Sequence, residues 1–194
     1  MRNEESKINS LSGKGLYPPK YSWLLLLPFR NLYLSPPKLA NRLSLKKDSV
    51  VLEMGCGPGY FSPEIARRIP EGKLLVSDIQ PEMLEKAKRR IQSKGITNVE
   101  YYPASENGLP VKSEFVDIIF LVTVLGEIEK RELFLNEMYR VLKVGGIISI
   151  SEQRGDPDSL TLEEVKSILA PYGFHIEKSF GNQRTFTANF KKLK

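Results

Sequence analysis

The run Val50-Val51-Leu52-Glu53-Met54-Gly55-Cys56-Gly57-Pro58-Gly59-Tyr60-Phe61 restricts this chain more than any other. A short apolar stretch passes into glycines at alternate positions, and a helical pattern follows at once. That order predicts a buried strand, a tight turn and the start of a helix. A second apolar strand, Leu75-Val76-Ser77-Asp78-Ile79, carries an acid 23 residues after Gly55. Strand, glycine turn, helix, strand and terminal carboxylate describe a nucleoside-binding half of a doubly wound sheet. Each missing Cβ keeps the turn tight and lets a ligand lie against backbone. A carboxylate beyond the strand's end can accept hydrogen bonds from two ribose hydroxyls.

The spacing narrows the nucleoside. A dinucleotide site uses Gly-x-Gly-x-x-Gly, with the pyrophosphate on a helix N-terminus. Here the glycines fall at 55, 57 and 59, and Tyr60 stands where the third glycine of that pattern would be.

From residue 48 the apolar pattern alternates regularly. Strands are expected near 49–54, 73–78, 98–102, 115–123 and 145–152, and helices near 59–69, 81–94, 130–142 and 161–171. Pro81 in a first turn and Gly95 beyond a helix end follow the expected asymmetry. Strand–helix alternation with short connections implies a parallel sheet. Only a very short element fits between the third and fourth strands, so one covering helix is expected to shrink to a loop. Gly145-Gly146 reads mainly as a helix C-terminal turn. Phe174–Phe180, Gly181-Asn182 and Arg184–Phe190 read as a final hairpin.

Ahead of this body, residues 1–15 are polar and expected to be a mobile N-terminus. Residues 16–47 read as two short helices separated by Pro36-Pro37, with Ser35 capping the second. The net charge of +6 is unevenly placed: residues 1–47 hold nine basic and two acidic side chains, and the body, 48–194, is close to neutral. Tyr17, Tyr21, Trp23, Phe29 and Tyr33 add aromatic surface to that basic segment. It reads as a substrate lid for an apolar or anionic acceptor, as a weak membrane-surface contact, or as a helix pair packed on the sheet edge with its basic face in water.

The single cysteine, Cys56, excludes a disulfide framework, and its place in the turn asks for a small side chain. With His175 the only histidine, and that in a late strand, no metal site is expected. The first dozen residues are polar and the Leu24–Leu27 run is too short to span a bilayer, so a cytoplasmic location follows by default.

Acid-x-Gly-x-Gly-x-Gly over Glu53–Gly59 resembles motif I of the class I S-adenosylmethionine-dependent methyltransferases. The cofactor motifs are similar to a type 11-like group that includes the ubiquinone/menaquinone and arsenite methyltransferases. The resemblance implies a Rossmann-like, doubly wound α/β fold. Its seven-stranded sheet would be mostly parallel, with a C-terminal antiparallel hairpin and, here, an N-terminal helical cap. It also implies that Glu53 meets the methionine amino group, that Gly55, Cys56, Gly57 and Gly59 form the cofactor turn, and that Asp78 holds the ribose. Ile79 would cover one face of the adenine, Ser105 or Glu106 would read its amino group, and Leu121 would belong to the same site. Arg30 is the candidate for meeting the cofactor carboxylate.

The chain departs from the family pattern in several places. Pro103 stands where an Asp usually precedes Ala104, and Val144 where a proline precedes Gly145-Gly146. Leu121-Val122-Thr123-Val124 ends the fourth strand in place of an Asn/Asp-Pro-Pro-aromatic motif, which argues against methylation of planar exocyclic amino groups. One cysteine cannot supply the thiols of arsenic methylation.

Methyl transfer from a sulfonium needs mainly in-line placement and exclusion of water. Candidates for a general base are Glu127, Glu152 and Tyr21, with Glu127 equally readable as a first-turn acid of the next helix. The expected function is methyl transfer to a small-molecule or lipid-like acceptor. The alternatives are an RNA or protein methyltransferase using the basic N-terminal segment, and a non-catalytic protein that only binds the cofactor.

Overall fold

The computed structural model describes Leu26, residues 34–105 and residues 108–194. The expectations for residues 1–15, for the first helix of the cap, and for Tyr21, Arg30 and Glu106 fall outside these residues.

Ser35 caps α1 (Pro36–Arg42): its hydroxyl accepts from the Lys38 N–H at 3.3 Å, ahead of a first turn that opens on proline. Then follow β1 (Val50–Met54), α2 (Ser62–Arg68), β2 (Lys73–Asp78), α3 (Pro81–Gln92), β3 (Val99–Pro103), β4 (Val116–Val122), α4 (Arg131–Val141), β5 (Leu142–Glu152), α5 (Leu162–Leu169), β6 (Phe174–Gly181) and β7 (Phe186–Lys192). The seven-stranded sheet has the order β3-β2-β1-β4-β5-β7-β6. The strands from β3 to β5 are parallel, and β7 runs antiparallel to both β5 and β6. This is the doubly wound, mostly parallel sheet with a terminal hairpin that the pattern predicts. Residues 104–105 and 108–115 contain no helix, as expected for the shortened crossover.

Both sheet faces are covered. Val51, Leu74, Val76, Ile118 and Phe120 pack beneath α1, α2 and α3. Leu52, Leu75, Ile119, Leu121, Ile148 and Ile150 pack with residues of α4 and α5 on the other face. Strands buried on both faces read as continuous apolar runs, which is why they stood out in the sequence. Leu39 and Leu43 are fully buried and join the first of these cores. The Arg42 guanidinium donates to Thr187 Oγ1 at 2.8 Å, and Asn189 Nδ2 donates to the Arg42 carbonyl at 2.7 Å. The second helix of the N-terminal segment is therefore packed on the sheet, on the face of α2.

Three boundaries differ from the sequence expectation. α2 begins at Ser62, not residue 59, because Gly59 (φ +75°) still belongs to the turn and donates to the Cys56 carbonyl at 3.0 Å. The final turn runs on to Thr185, because Asn182 Oδ1 accepts the N–H groups of Arg184 and Thr185 and holds them out of β7. Gly145-Gly146 is not a helix end. α4 gives way to β5 directly at Leu142, and the glycines lie in an irregular stretch between the pairs Val116–Leu142 and Ile118–Ile147. Asp117 organises that stretch, taking the Val50 N–H on Oδ2 at 2.8 Å and the Lys143 ammonium on Oδ1 at 2.7 Å.

Candidate functional site

In this strand order the chain leaves β1 and β4, which are neighbours, toward opposite faces of the sheet. The crevice beyond their C-terminal ends is where open α/β sheets take ligands. A cavity of about 510 Å³ lies there, lined by the β1 turn, the ends of β2 and β4, the loop after β3, the first part of α4 and Asp156.

The glycine turn is held from β2. Gly55 and Cys56 both donate to the Ser77 carbonyl, at 2.8 and 3.1 Å. Asp78, 7% exposed, then receives the Gly57 N–H on Oδ2 at 2.8 Å and the Gln80 N–H on Oδ1 at 2.9 Å. Burial raises the Asp78 pKa, and these backbone donors oppose the rise. Each oxygen keeps a further lone pair for a ligand hydroxyl. Gly55 has φ +69°, and a Cβ there would lie 2.5 Å from Val124 Cγ2, so the segment after β4 closes directly on this backbone.

Glu53, at the end of β1, is 2% exposed and its Oε2 has no hydrogen-bond partner among the described residues. Burial pushes its pKa up to about 8; the Ser62 hydroxyl opposes the rise and the charge of Asp78 adds to it. An ammonium placed here would supply the missing partner and restore the ionised form. Cys56 is buried and its thiol points to the Gly57 carbonyl at 3.4 Å. Burial, then the charges of Glu53 and Asp78, hold that thiol well above its ordinary range, which is the electrostatics of a packed side chain and not of a nucleophile.

Glu53, Gly55, Cys56, Gly57, Asp78, Ile79 and Ser105 all line the cavity. Ile79 stays 58% exposed, an apolar side chain presented at the cavity. The Ser105 hydroxyl donates to the Gly108 carbonyl at 3.2 Å and so closes its own loop. Two expected residues are elsewhere. Gly59 is a packing glycine: a Cβ would come within 3.0 Å of the Ala87 Cα on α3. Leu121 faces the α4–α5 core, while its neighbours Phe120 and Val122 line the cavity. Alternation along β4 turns successive side chains to opposite faces.

The candidate bases divide similarly. Glu127 lines the cavity from a single 3₁₀ turn, Leu125–Glu127, so it is not a first-turn acid of α4; Glu132 is. Its pKa is pushed up to about 8, by burial first and then by Asp156, Asp158 and Asp78. Glu152 is 3% exposed, lies outside the cavity lining, and is likewise pushed up to about 8 by burial and the charge of Asp156. His175 is exposed on β6, and among the described residues no group of three or more His, Cys, Asp or Glu side chains could hold a metal ion.

Sequence reading missed Thr123 and Asp156. Thr123 lines the cavity at φ +53°, a conformation that costs a β-branched residue on the order of 1–3 kcal/mol. No local signal announces it. Asp156 sits in the loop after β5, whose Asp-Pro-Asp composition says only that it is a loop.

Residues 45–192 match a family described as a methyltransferase domain. The ubiquinone/menaquinone biosynthesis C-methyltransferase of Pectobacterium atrosepticum is 28% identical over 139 residues, covering 71% of this chain and 54% of that protein. An arsenite methyltransferase of Halobacterium salinarum is 29% identical over 143 residues, covering 64% of this chain and 37% of that protein. The chain thus spans about half or less of the length of these curated relatives. A crystal structure of a SAM-dependent methyltransferase from Aquifex aeolicus superimposes with a TM-score of 0.84 at 26% identity, over 92% of this chain and 100% of that one. With the glycine turn, the acid after β2 and the sheet order already in place, the chain belongs to the class I S-adenosylmethionine-dependent methyltransferase family.

Proposed function

We propose that the chain transfers a methyl group from S-adenosylmethionine to a small-molecule or lipid-like acceptor by in-line displacement. One observation carries this reading. The glycine turn, the carboxylate of Asp78 and an apolar-walled cavity of about 510 Å³ share a single switch point of the sheet. That volume suits a cofactor together with a small second ligand.

The residues present fit the cofactor. The unpartnered Oε2 of Glu53 asks for a donor, and the exposed Ile79 offers an apolar face for a base. Glu53, Gly55, Cys56 and Gly57 would hold the amino-acid end, Asp78 the ribose, and Ile79 and Ser105 the adenine. When bound, the cofactor supplies an electrophilic methyl group on a sulfonium whose leaving sulfur is neutral.

The chain's own contribution is placement and exclusion of water. Orientation alone can account for roughly 7–11 kcal/mol of such a barrier. Ile128, Leu133, Phe134 and Met138 form an apolar wall across from the glycine turn, on the α4 side. Glu127 is the carboxylate positioned to take a proton from an acceptor inside the cavity, and Glu152, outside the lining, would act on it only through its charge.

Calorimetric titration with S-adenosylmethionine and S-adenosylhomocysteine, with NAD as control, tests the reading. Micromolar binding of both adenosyl ligands and none of NAD is expected. Failure of both adenosyl ligands to bind would overturn it.

A further inference from the structure

Beside the main cavity lies a second recess of about 230 Å³, and Val122 lines both. Its walls are α1, the ends of β4 and β5, and the turn between β6 and β7. Each wall is fixed. Arg42 ties α1 to Thr187 and Asn189 of β7, the Arg154 N–H reaches Thr185 Oγ1 at 3.2 Å, and Asn182 closes the turn. A recess held in this way has little ordering left to lose when a ligand enters.

Two independent observations point to a ligand there. The first is Arg42, which lines the recess and has no carboxylate partner among the described residues. Its guanidinium donates to Thr187 Oγ1 at 2.8 Å and lies 5.2 Å from the centre of the Phe180 ring, and burial lowers its pKa with no carboxylate opposing the shift. A guanidinium carries more donors than that one bond uses. Lys38, exposed one turn earlier on α1, brings a second cation to the same lining. The second observation is Glu152, the last residue of β5, which also lines the recess. It is 3% exposed, and its Oε1 is buried with no hydrogen-bond partner among the described residues. A buried carboxyl oxygen left so is costly unless a ligand completes it.

Building on the function proposed above, we propose that this recess binds one end of the methyl acceptor, and that the acceptor is a small hydroxycarboxylate whose carboxylate meets Arg42 and Lys38 and whose hydroxyl meets Glu152 Oε1. The guanidinium fork matches the two oxygens of a carboxylate. A hydroxyl both donates and accepts, so it pairs with Glu152 whether or not that carboxyl carries its proton. Glu152 on the wall favours a singly charged carboxylate over phosphate, whose further charge it would repel. The body of the acceptor passes Val122 into the main cavity, where Glu127 serves the reacting group; Glu152 meets only the far end.

The test uses the full chain saturated with S-adenosylhomocysteine at neutral pH. It is titrated calorimetrically with 3-phenyllactate, with 3-phenylpropionate, which lacks the hydroxyl, with 1-phenylpropan-2-ol, which lacks the carboxylate, and with inorganic phosphate. Phenyllactate should bind at least about ten-fold more tightly than either analogue, and phosphate should not bind. Arg42→Gln should reduce phenyllactate to the affinity of the alcohol, and Glu152→Leu should reduce it to that of phenylpropionate. Lys38→Met, a change on the exposed face of α1, should weaken phenyllactate at least about three-fold and leave the alcohol unchanged. It decides the matter if the two buried variants do not fold.

Equal or tighter binding of either analogue, binding of phosphate, no phenyllactate binding at millimolar concentration, or a preference for phenyllactate that all folded variants retain would each overturn the inference. Loss of S-adenosylhomocysteine binding would instead overturn the proposed function. The same series on the ligand-free chain then decides the recess by itself.

Discussion

Asp78→Ala separates two tasks that one carboxylate performs. Without any ligand, Asp78 already fixes the turn through the Gly57 and Gln80 N–H groups at 2.8 and 2.9 Å. Alanine leaves two backbone donors without their acceptor at a position where Asp78 is itself buried. Each lost charge-assisted bond of this kind is worth about 1–2 kcal/mol once water can partly repair it, so the ligand-free protein should lose roughly 2–4 kcal/mol. For a chain of this size that is a fall of roughly 4–16 °C in Tm. The ribose would lose its acceptor as well, weakening S-adenosylhomocysteine binding by about 1–3 kcal/mol, a factor of roughly 5 to 150. Thermal melting of the ligand-free protein reads the first effect, and calorimetry below the lowered Tm reads the second. A Tm unchanged within error would refute the claim that Asp78 holds the turn. Unchanged affinity in a folded variant would remove it from the ribose site.

Other perturbations act at separate places. Gly59→Ala should destabilise by about 1–3 kcal/mol, since its Cβ would press on the Ala87 backbone at φ +75°; chemical denaturation measures it, and the folded fraction should bind S-adenosylhomocysteine normally. Gly126→Ala should force the 153–160 loop away from the 3₁₀ turn, so limited proteolysis should find new cleavage there. Thr161→Ala removes a capping box in which Glu164 N–H meets Thr161 Oγ1 and Thr161 N–H meets Glu164 Oε2, and should cost about 1 kcal/mol. Glu53, Glu127 and Glu152 all bind their protons more tightly folded, with pKa values of about 8, than an unfolded carboxyl near 4.3 does. The ligand-free protein should therefore lose stability as pH rises from about 4.3 to about 8 and level off above, a trend opposite to ordinary acid denaturation. Melting curves across that range check the sign, and a Tm that climbs with pH would contradict these burials.

The strands were legible because the apolar runs are buried on both faces, and Ser35 and Asn182 sit at a cap and a turn where their side chains have local work. That same two-sided burial hid the orientation of Leu121. With Phe120, Leu121 and Val122 all apolar, no polar alternation marks which one turns toward the cavity. The glycine-turn side of the cavity was readable as a lining where a contiguous motif builds it, from Glu53 to Gly57 with Asp78. On the β4–β5 side Glu127 was named as a candidate base, and Asp156 was not. Asp156 and Glu127 line one cavity, and Gly126 lies against Asp158 where the two loops meet, a relation across distant parts of the chain that no window of sequence contains. Gly145-Gly146 misled because glycine after a helix is an ordinary stop signal. Here the side chain of Asp117, on another strand, draws Val50 and Lys143 together, and α4 passes straight into β5.

The bonds between α1 and β7 constrain the order in which the molecule can be made. Among the described residues β6 is paired only with β7, and β7 enters between it and β5. The Arg42 carbonyl waits for Asn189, and its guanidinium for Thr187, across separations of 147 and 145 residues. During synthesis the glycine turn and its neighbours emerge long before this seam can close. An N-terminal helix without its strand, and a sheet edge at β5 without its cover, are both exposed until Phe186–Lys192 has left the ribosome. Such late, long-range closure slows folding and leaves an open strand edge in the interval. Chaperone dependence of the nascent chain should end when β7 emerges, and not when the half of the sheet that carries the glycine turn is complete.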